Sequence, residues 1–205
     1  MIDAVAGYLA HSNANHAGLF ATAQESDALL DEAHRAAADL LGAADPACVF
    51  FGPNMTTLTF AISRALGRSW SAGDEVIVTR LDHDANVAPW VALEEEGVAV
   101  HHCDFHPADC TLDLDHLASL LTERTRLVAV GYSANAFGTV NDVALARKLA
   151  RDAGAYLLVD AVHYAPHFPF DVVALDADFL VCSAYKFYGP HVGVLYSRQG
   201  LLEQF

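Results

Sequence analysis

The chain contains only two lysines, Lys148 and Lys186, so an amine chemistry would have few places to reside. Lys186 lies in CSAYKFYGPHVGVLY, just past an apolar run, between aromatic residues and ahead of a Gly-Pro turn. That setting predicts a partly desolvated side chain, and desolvation disfavours the ammonium form. An unprotonated amine adds to an aldehyde and forms a Schiff base. A lysine snorkelling from a strand end would look much the same, so a second residue has to decide. Asp160 closes the run YLLVD, 26 residues before Lys186. A carboxylate at a strand end is placed to pair with a cationic ring nitrogen.

These residues need a scaffold that brings them to one place. The chain has 205 residues, of which 54% are hydrophobic and 18% charged, enough for one sizeable packed domain. Short β-branched runs (CVFF, EVIVT, VAVHH, RLVAVGY, YLLVD, DFLVC, VGVLYS) alternate with helix-length segments at 57–66, 85–96, 114–121 and 143–152. Two further helices are expected near the start, over 2–9 and 25–41, with the polar loop SNANHAG between them. Strands apolar on both faces, alternating with helices, predict a three-layer α/β/α domain around a mostly parallel sheet. Gly67, Gly97 and Gly154 stand where helix C-caps belong. In such sheets ligands bind at the carboxyl ends of the strands. Four strand ends, at Asp82–Asn86, Ser133–Gly138, Asp160 and Ser183–Gly189, bring Asp, Asn, His, Ser, Tyr and Lys toward one edge. A strand-end aspartate paired with a strand-end lysine is what an enzyme of pyridoxal 5'-phosphate requires.

Charge and composition exclude other classes. With 11 basic against 26 acidic residues, the net charge of −15 speaks against a nucleic-acid partner, which needs Lys and Arg to neutralise phosphates. No apolar stretch reaches the ~18 residues of a membrane helix. The four cysteines, Cys48, Cys103, Cys110 and Cys182, share no CxxC spacing, which fits a reduced, cytoplasmic setting. HHCDFH at 101–106 has metal-ligand residue types, but strand alternation turns them to opposite faces, so no metal site is expected. His163 and His167 are four apart, yet Pro166 argues against the helix that would align them. No G-x-G-x-x-G follows the first strand, against a nicotinamide cofactor.

The order of GPNMTTLTF, RLDHDANVAPW, YSANAFGTVND, LLVDAVHYAPH and CSAYKFYGP resembles the class V aminotransferase family of fold-type I enzymes, its cysteine desulfurase-like branch in particular. The resemblance runs from IDAVAGYLAHSNAN to VGVLYS. It implies that pyridoxal 5'-phosphate is the cofactor and a small amino acid the substrate. Position by position, Lys186 matches the Schiff-base lysine and Asp160 the partner of the pyridine nitrogen. His83 matches the histidine stacked on the ring, and Asn135 the asparagine near the phenolic oxygen. Thr57, Ser183 and Tyr185 match phosphate-binding positions, with Thr56 the adjacent candidate. Hydroxyls at a helix N-terminus suit a dianion on physical grounds.

His163 stands where the desulfurases carry glutamine beside the phenolic oxygen; an imidazole can hydrogen-bond there too. The resemblance also implies a homodimer and a chain roughly twice this length. The family's second half holds a small domain with the arginine that grips the substrate carboxylate and, in desulfurases, a nucleophilic cysteine. None of the four cysteines matches that nucleophile. Residues 1–205 are therefore expected to be the large, cofactor-binding domain without its small domain. Two readings follow: an enzyme working through Lys186 on an amino acid, or a cofactor-binding or interaction domain without turnover.

Overall fold

The computed structural model describes all residues from Met1 to Phe205. Nine strands and six α-helices run in the order α1 (Ile2–His11), α2 (Ala21–Leu41), β1 (Val49–Gly52), α3 (Met55–Gly67), β2 (Glu75–Thr79), α4 (Ala88–Val91), β3 (Ala99–Cys103), β4 (Phe105–His106), β5 (Thr111–Leu112), α5 (Leu114–Leu120), β6 (Thr125–Gly131), α6 (Val143–Asp152), β7 (Tyr156–Asp160), β8 (Phe179–Ser183) and β9 (Gly193–Ser197). Seven strands form one sheet in the order β1-β9-β8-β7-β6-β2-β3, while β4 and β5 make a separate hairpin. Only β9 runs against the others, pairing antiparallel with both β8 and β1.

The sheet is covered on both faces. Ile77, Val128, Val130, Leu157 and Val159 pack on one side with Leu41, Leu117 and Ala146 of α2, α5 and α6. Their strand neighbours Val76, Val78, Leu127, Ala129 and Leu158 pack on the other with Ile62, Leu66 and Trp90 of α3 and α4. That alternation along continuously apolar strands is the three-layer arrangement expected of them. In contrast, α1 buries no residue.

The expected helix over 85–96 is a short α4 flanked by two 3₁₀ turns, over Asp84–Asn86 and Ala92–Glu96. Pro89 explains the break at the start: it lacks an N–H and is tolerated only in a first turn, so a helix cannot begin at residue 85 and run through it. Gly97 then ends the second 3₁₀ turn in the left-handed region at φ 88°. Gly67 is not a cap; it is the last residue of α3, and Arg68 follows it in right-handed geometry.

Strand order reverses between β2 and β6. From β2 the chain moves outward to β3, then returns to the opposite side of β2 and continues through β6, β7 and β8. Crevices at such switch points are where open α/β sheets bind ligands.

Candidate active site

The carboxyl ends of β7 and β8 meet the start of α3. Asn54 caps that helix, its Oδ1 accepting the Thr57 N–H at 2.8 Å, and the Leu58 N–H reaches the Asn54 carbonyl at 3.2 Å. The Met55 N–H donates across the sheet edge to Ser183 Oγ at 3.0 Å. Thr56 is left with its N–H and hydroxyl unpaired within the chain, at the positive end of a 13-residue helix.

Thr56, Ser183, Tyr185, Lys186, His83, Asp160 and His163 line one cavity, together with Met55, Ala85 and Val162. Seven of the nine residues picked from the sequence are thus brought together. Thr57 is exposed, does not line the cavity, and spends its N–H on the Asn54 cap. Asn135 lies exposed in the turn after β6, also outside the lining.

Lys186 corrects one expectation, because it is exposed rather than desolvated. Its Nζ sits 5.8 Å from the centroid of the Tyr185 ring. Tyr185 in turn stacks on His191, with centroids 4.5 Å apart and planes 12° from parallel. The His191 Nδ1–H donates to the Pro53 carbonyl at 2.9 Å, which ties this turn to the residues preceding α3.

Asp160 is 8% exposed and accepts the Val162 N–H at 2.9 Å. Burial pushes its carboxyl up to about 6, against the pull of the Val162 N–H, His83 and Lys186. A cation at its free side would be strongly favoured. His83 Nδ1 accepts the Ala85 N–H at 3.0 Å and so caps the following 3₁₀ turn. Neutral His83 therefore carries its proton on Nε2, the nitrogen left for other work. His163 is half-buried and held below the usual imidazole range, first by burial and then by Lys186, His83 and His167.

One residue placed at a strand end by the sequence was given no role there. Asp82, directly before His83, accepts the Gly131 N–H with both carboxylate oxygens, at 2.8 and 2.9 Å, and the Asn86 amide at 2.8 Å. Its position at the end of EVIVT was the available signal, overshadowed by the neighbouring histidine.

An amine, a buried carboxylate, an imidazole and an open helix N-terminus facing one cavity in an α/β/α fold define the large domain of a fold-type I enzyme. The aminotransferase class-V family profile matches residues 1–205, and the chain belongs to that family. The chain is 36% identical over 207 residues to aminotransferase-like protein FGM3 of Gibberella zeae, covering 99% of this chain and 50% of that protein. It is 35% identical over 207 residues to a cysteine desulfurase of Pectobacterium atrosepticum, covering 99% of this chain and 51% of that one. Among solved structures, the cysteine desulfurase CsdA of Escherichia coli superposes with a TM-score of 0.86 at 33% identity, over 96% of this chain and 50% of that chain. The apo cysteine desulfurase of Thermococcus onnurineus NA1 gives 0.91 at 29% identity, over 100% and 51%. The chain thus spans about half the length of the curated relatives it matches.

Proposed function

We propose that residues 1–205 form the cofactor-binding domain of an enzyme that uses pyridoxal 5'-phosphate to act on the α-carbon of an amino acid. The observation that carries this reading is the cavity itself, where Lys186, Asp160 and His83 face the unpaired N–H of Thr56. The donor set fits the cofactor. Thr56, Ser183 and the α3 N-terminus would hold its phosphate, and Asp160 its ring nitrogen. When bound, the cofactor supplies an aldehyde for amines and a ring that delocalises negative charge from the substrate Cα.

The protein's own part follows from the geometry. Asp160, buried and with one oxygen committed to the Val162 N–H, would use its other oxygen to hold a proton on a ring nitrogen placed opposite it. His83 presents Nε2 toward the cavity because Nδ1 is committed to the Ala85 N–H. Lys186, exposed at the rim, has room to swing between the cavity and solvent and to carry a proton at Nζ. The family resemblance assigns the grip on the substrate carboxylate to a small domain, so the choice among desulfuration, transamination and elimination is made there.

We also infer a homodimer and a cytoplasmic location. The exposed apolar side chains of the first-half helices support the first. Support for the second comes from four unpaired cysteines, three of them buried, and the absence of any helix long and apolar enough to cross a membrane.

The experiment is borohydride reduction of the chain with pyridoxal 5'-phosphate, followed by peptide mapping. The adduct should map to Lys186 and disappear in Lys186→Ala. Lys148 is the internal control: it is exposed and ion-paired to Asp152 at 2.9 Å on α6. An adduct at Lys148 alone would refute the assignment.

A further inference from the structure

Strands β2 and β6 part company before they end. Their pairing runs from Glu75 and Thr125 to Ile77 and Val128, while β6 continues alongside β7 as far as Gly131 opposite Asp160. The Tyr132 N–H turns to β7, donating to the Asp160 carbonyl at 2.8 Å. The alternation of a parallel strand then turns the Gly131 N–H the other way, into the gap that β2 has vacated. A backbone donor at a switch point, with no strand opposite, needs a partner.

Asp82 fills that gap. Both of its oxygens accept the Gly131 N–H, and one also accepts the Asn86 amide from within the 3₁₀ turn that follows His83. The fit depends on glycine: a Cβ at residue 131 would stand 2.5 Å from Asp82 Oδ1. The Gly131 carbonyl accepts the Asn141 amide at 2.8 Å, so side chains take up both backbone polar groups of this residue. The clamp lies one residue before His83 in sequence, and its Gly131 end lies opposite Asp160 in the sheet.

Resting on the cofactor reading above, we propose that Asp82 is the positioning residue of this site: through Gly131 and Asn86 it sets where His83 stands relative to Asp160. It touches neither cofactor nor substrate. Its work is to replace the missing strand ladder between β2 and β6 with a carboxylate clamp. Ring and nitrogen partner are thereby held at one spacing, although they come from strands separated by β6 in the sheet.

The test uses the whole chain in three variants: Asp82→Ala, which removes the clamp; Asp82→Asn, which keeps an acceptor for Gly131 but loses one for Asn86; and Gly131→Ala, which forces the clamp open from the other side. The first readout is imidazole nitrogen NMR of cofactor-free protein, which reports the His83 tautomer. Wild type should show a single Nε2–H form, whereas Asp82→Ala and Gly131→Ala should show averaging between tautomers. The second is the dissociation constant for pyridoxal 5'-phosphate, expected to weaken at least tenfold in both, with Asp82→Asn between them and wild type. Borohydride trapping at Lys186 should persist at saturating cofactor.

If Asp82→Ala does not fold, Gly131→Ala and Asp82→Asn carry the decision. Variants that lower thermal stability alone, leaving the His83 tautomer and the dissociation constant at wild-type values, would overturn the proposal. A wild-type chain that takes up no cofactor would overturn the functional reading instead. The tautomer measurement on cofactor-free protein would still decide the role of Asp82.

Discussion

The Met55 N–H donates to Ser183 Oγ at 3.0 Å, joining two residues 128 positions apart. The bond fixes the first turn of α3 to the end of β8, three residues before Lys186. Helix N-terminus and amine are therefore positioned by one contact, and Ser183 is fully buried.

Ser183→Ala leaves the Met55 N–H without that partner. The expected cost is about 1–3 kcal/mol of stability, because a buried donor loses its acceptor. Cofactor affinity should fall as well, since the hydroxyl and the orientation of α3 are lost together. Urea denaturation with an unchanged m value, alongside fluorescence titration with pyridoxal 5'-phosphate, checks both. Unchanged values in the two measurements would show that the contact carries neither task.

Asp160 makes a prediction about pH. Its carboxyl sits at about 6 in the fold, and that of Asp82 at about 7, the latter raised by burial and by Asp160. In the unfolded chain both fall near ~3.9. Below that value both groups are protonated in either state, and the fold carries no penalty. As pH rises toward 6 to 7, the unfolded chain releases protons that the folded chain still holds, so stability falls. His83 and Lys186 pull the Asp160 carboxyl the other way and temper the effect. Cofactor-free Asp160→Asn should lose part of this slope, on the order of 3 kcal/mol between pH 4 and 7. Denaturation midpoints of wild type and variant at pH 4 and 7 would measure it. Parallel pH curves would contradict the burial argument.

Much of the site was legible because strand ends are legible. YLLVD and EVIVT match β7 and β2 residue for residue, and DFLVC matches β8 to within one position, so the chemistry-bearing residues after them could be placed on one edge. Asp82 was placed at a strand end but given no role, because that role depends on which strand lies beside β2. Hydrophobic periodicity identifies strands but not their neighbours, and the gap between β2 and β6 arises from sheet order alone. The exposure of Lys186 was misjudged for a related reason. Flanking aromatics suggest burial, but Tyr185 and Tyr188 are themselves exposed. The broken helix over 85–96 could have been read from Pro89.

At the opposite edge of the sheet, Arg147 is 6% exposed and donates to Asp178 at 2.8 Å and to Asp176 at 3.1 Å. Asp178 is fully buried, accepts the Leu157 N–H at 2.8 Å and is ion-paired with the Arg198 guanidinium, 2.8 Å from its other oxygen. Arg147→Met leaves Asp178 with Arg198 and the Leu157 N–H but removes a charge-assisted hydrogen bond to a buried carboxylate, at a cost of about 1.5–3 kcal/mol. This network lies at the amino ends of β7 and β8, away from the cavity. Cofactor affinity should stay within twofold of wild type wherever the variant is folded. A large loss of affinity with little loss of stability would show that the two edges are coupled.

The last prediction concerns association. Helix α1 buries none of its residues; Ile2 is 78% and Leu9 59% exposed, and Leu19 in the following loop is 97% exposed. Phe20, Leu29, Leu30 and Leu40 add further exposed apolar area on or beside α2. Patches of this kind mark association surfaces. The chain's large negative charge would oppose non-specific clumping, so a defined dimer is expected rather than a range of aggregates. Sedimentation velocity across a hundredfold concentration range should show a monomer–dimer boundary. Leu19→Glu together with Phe20→Asp should shift it toward monomer without changing the far-ultraviolet circular dichroism. Equal sedimentation of variant and wild type would move the interface elsewhere, and a monomer at every concentration would refute the dimer.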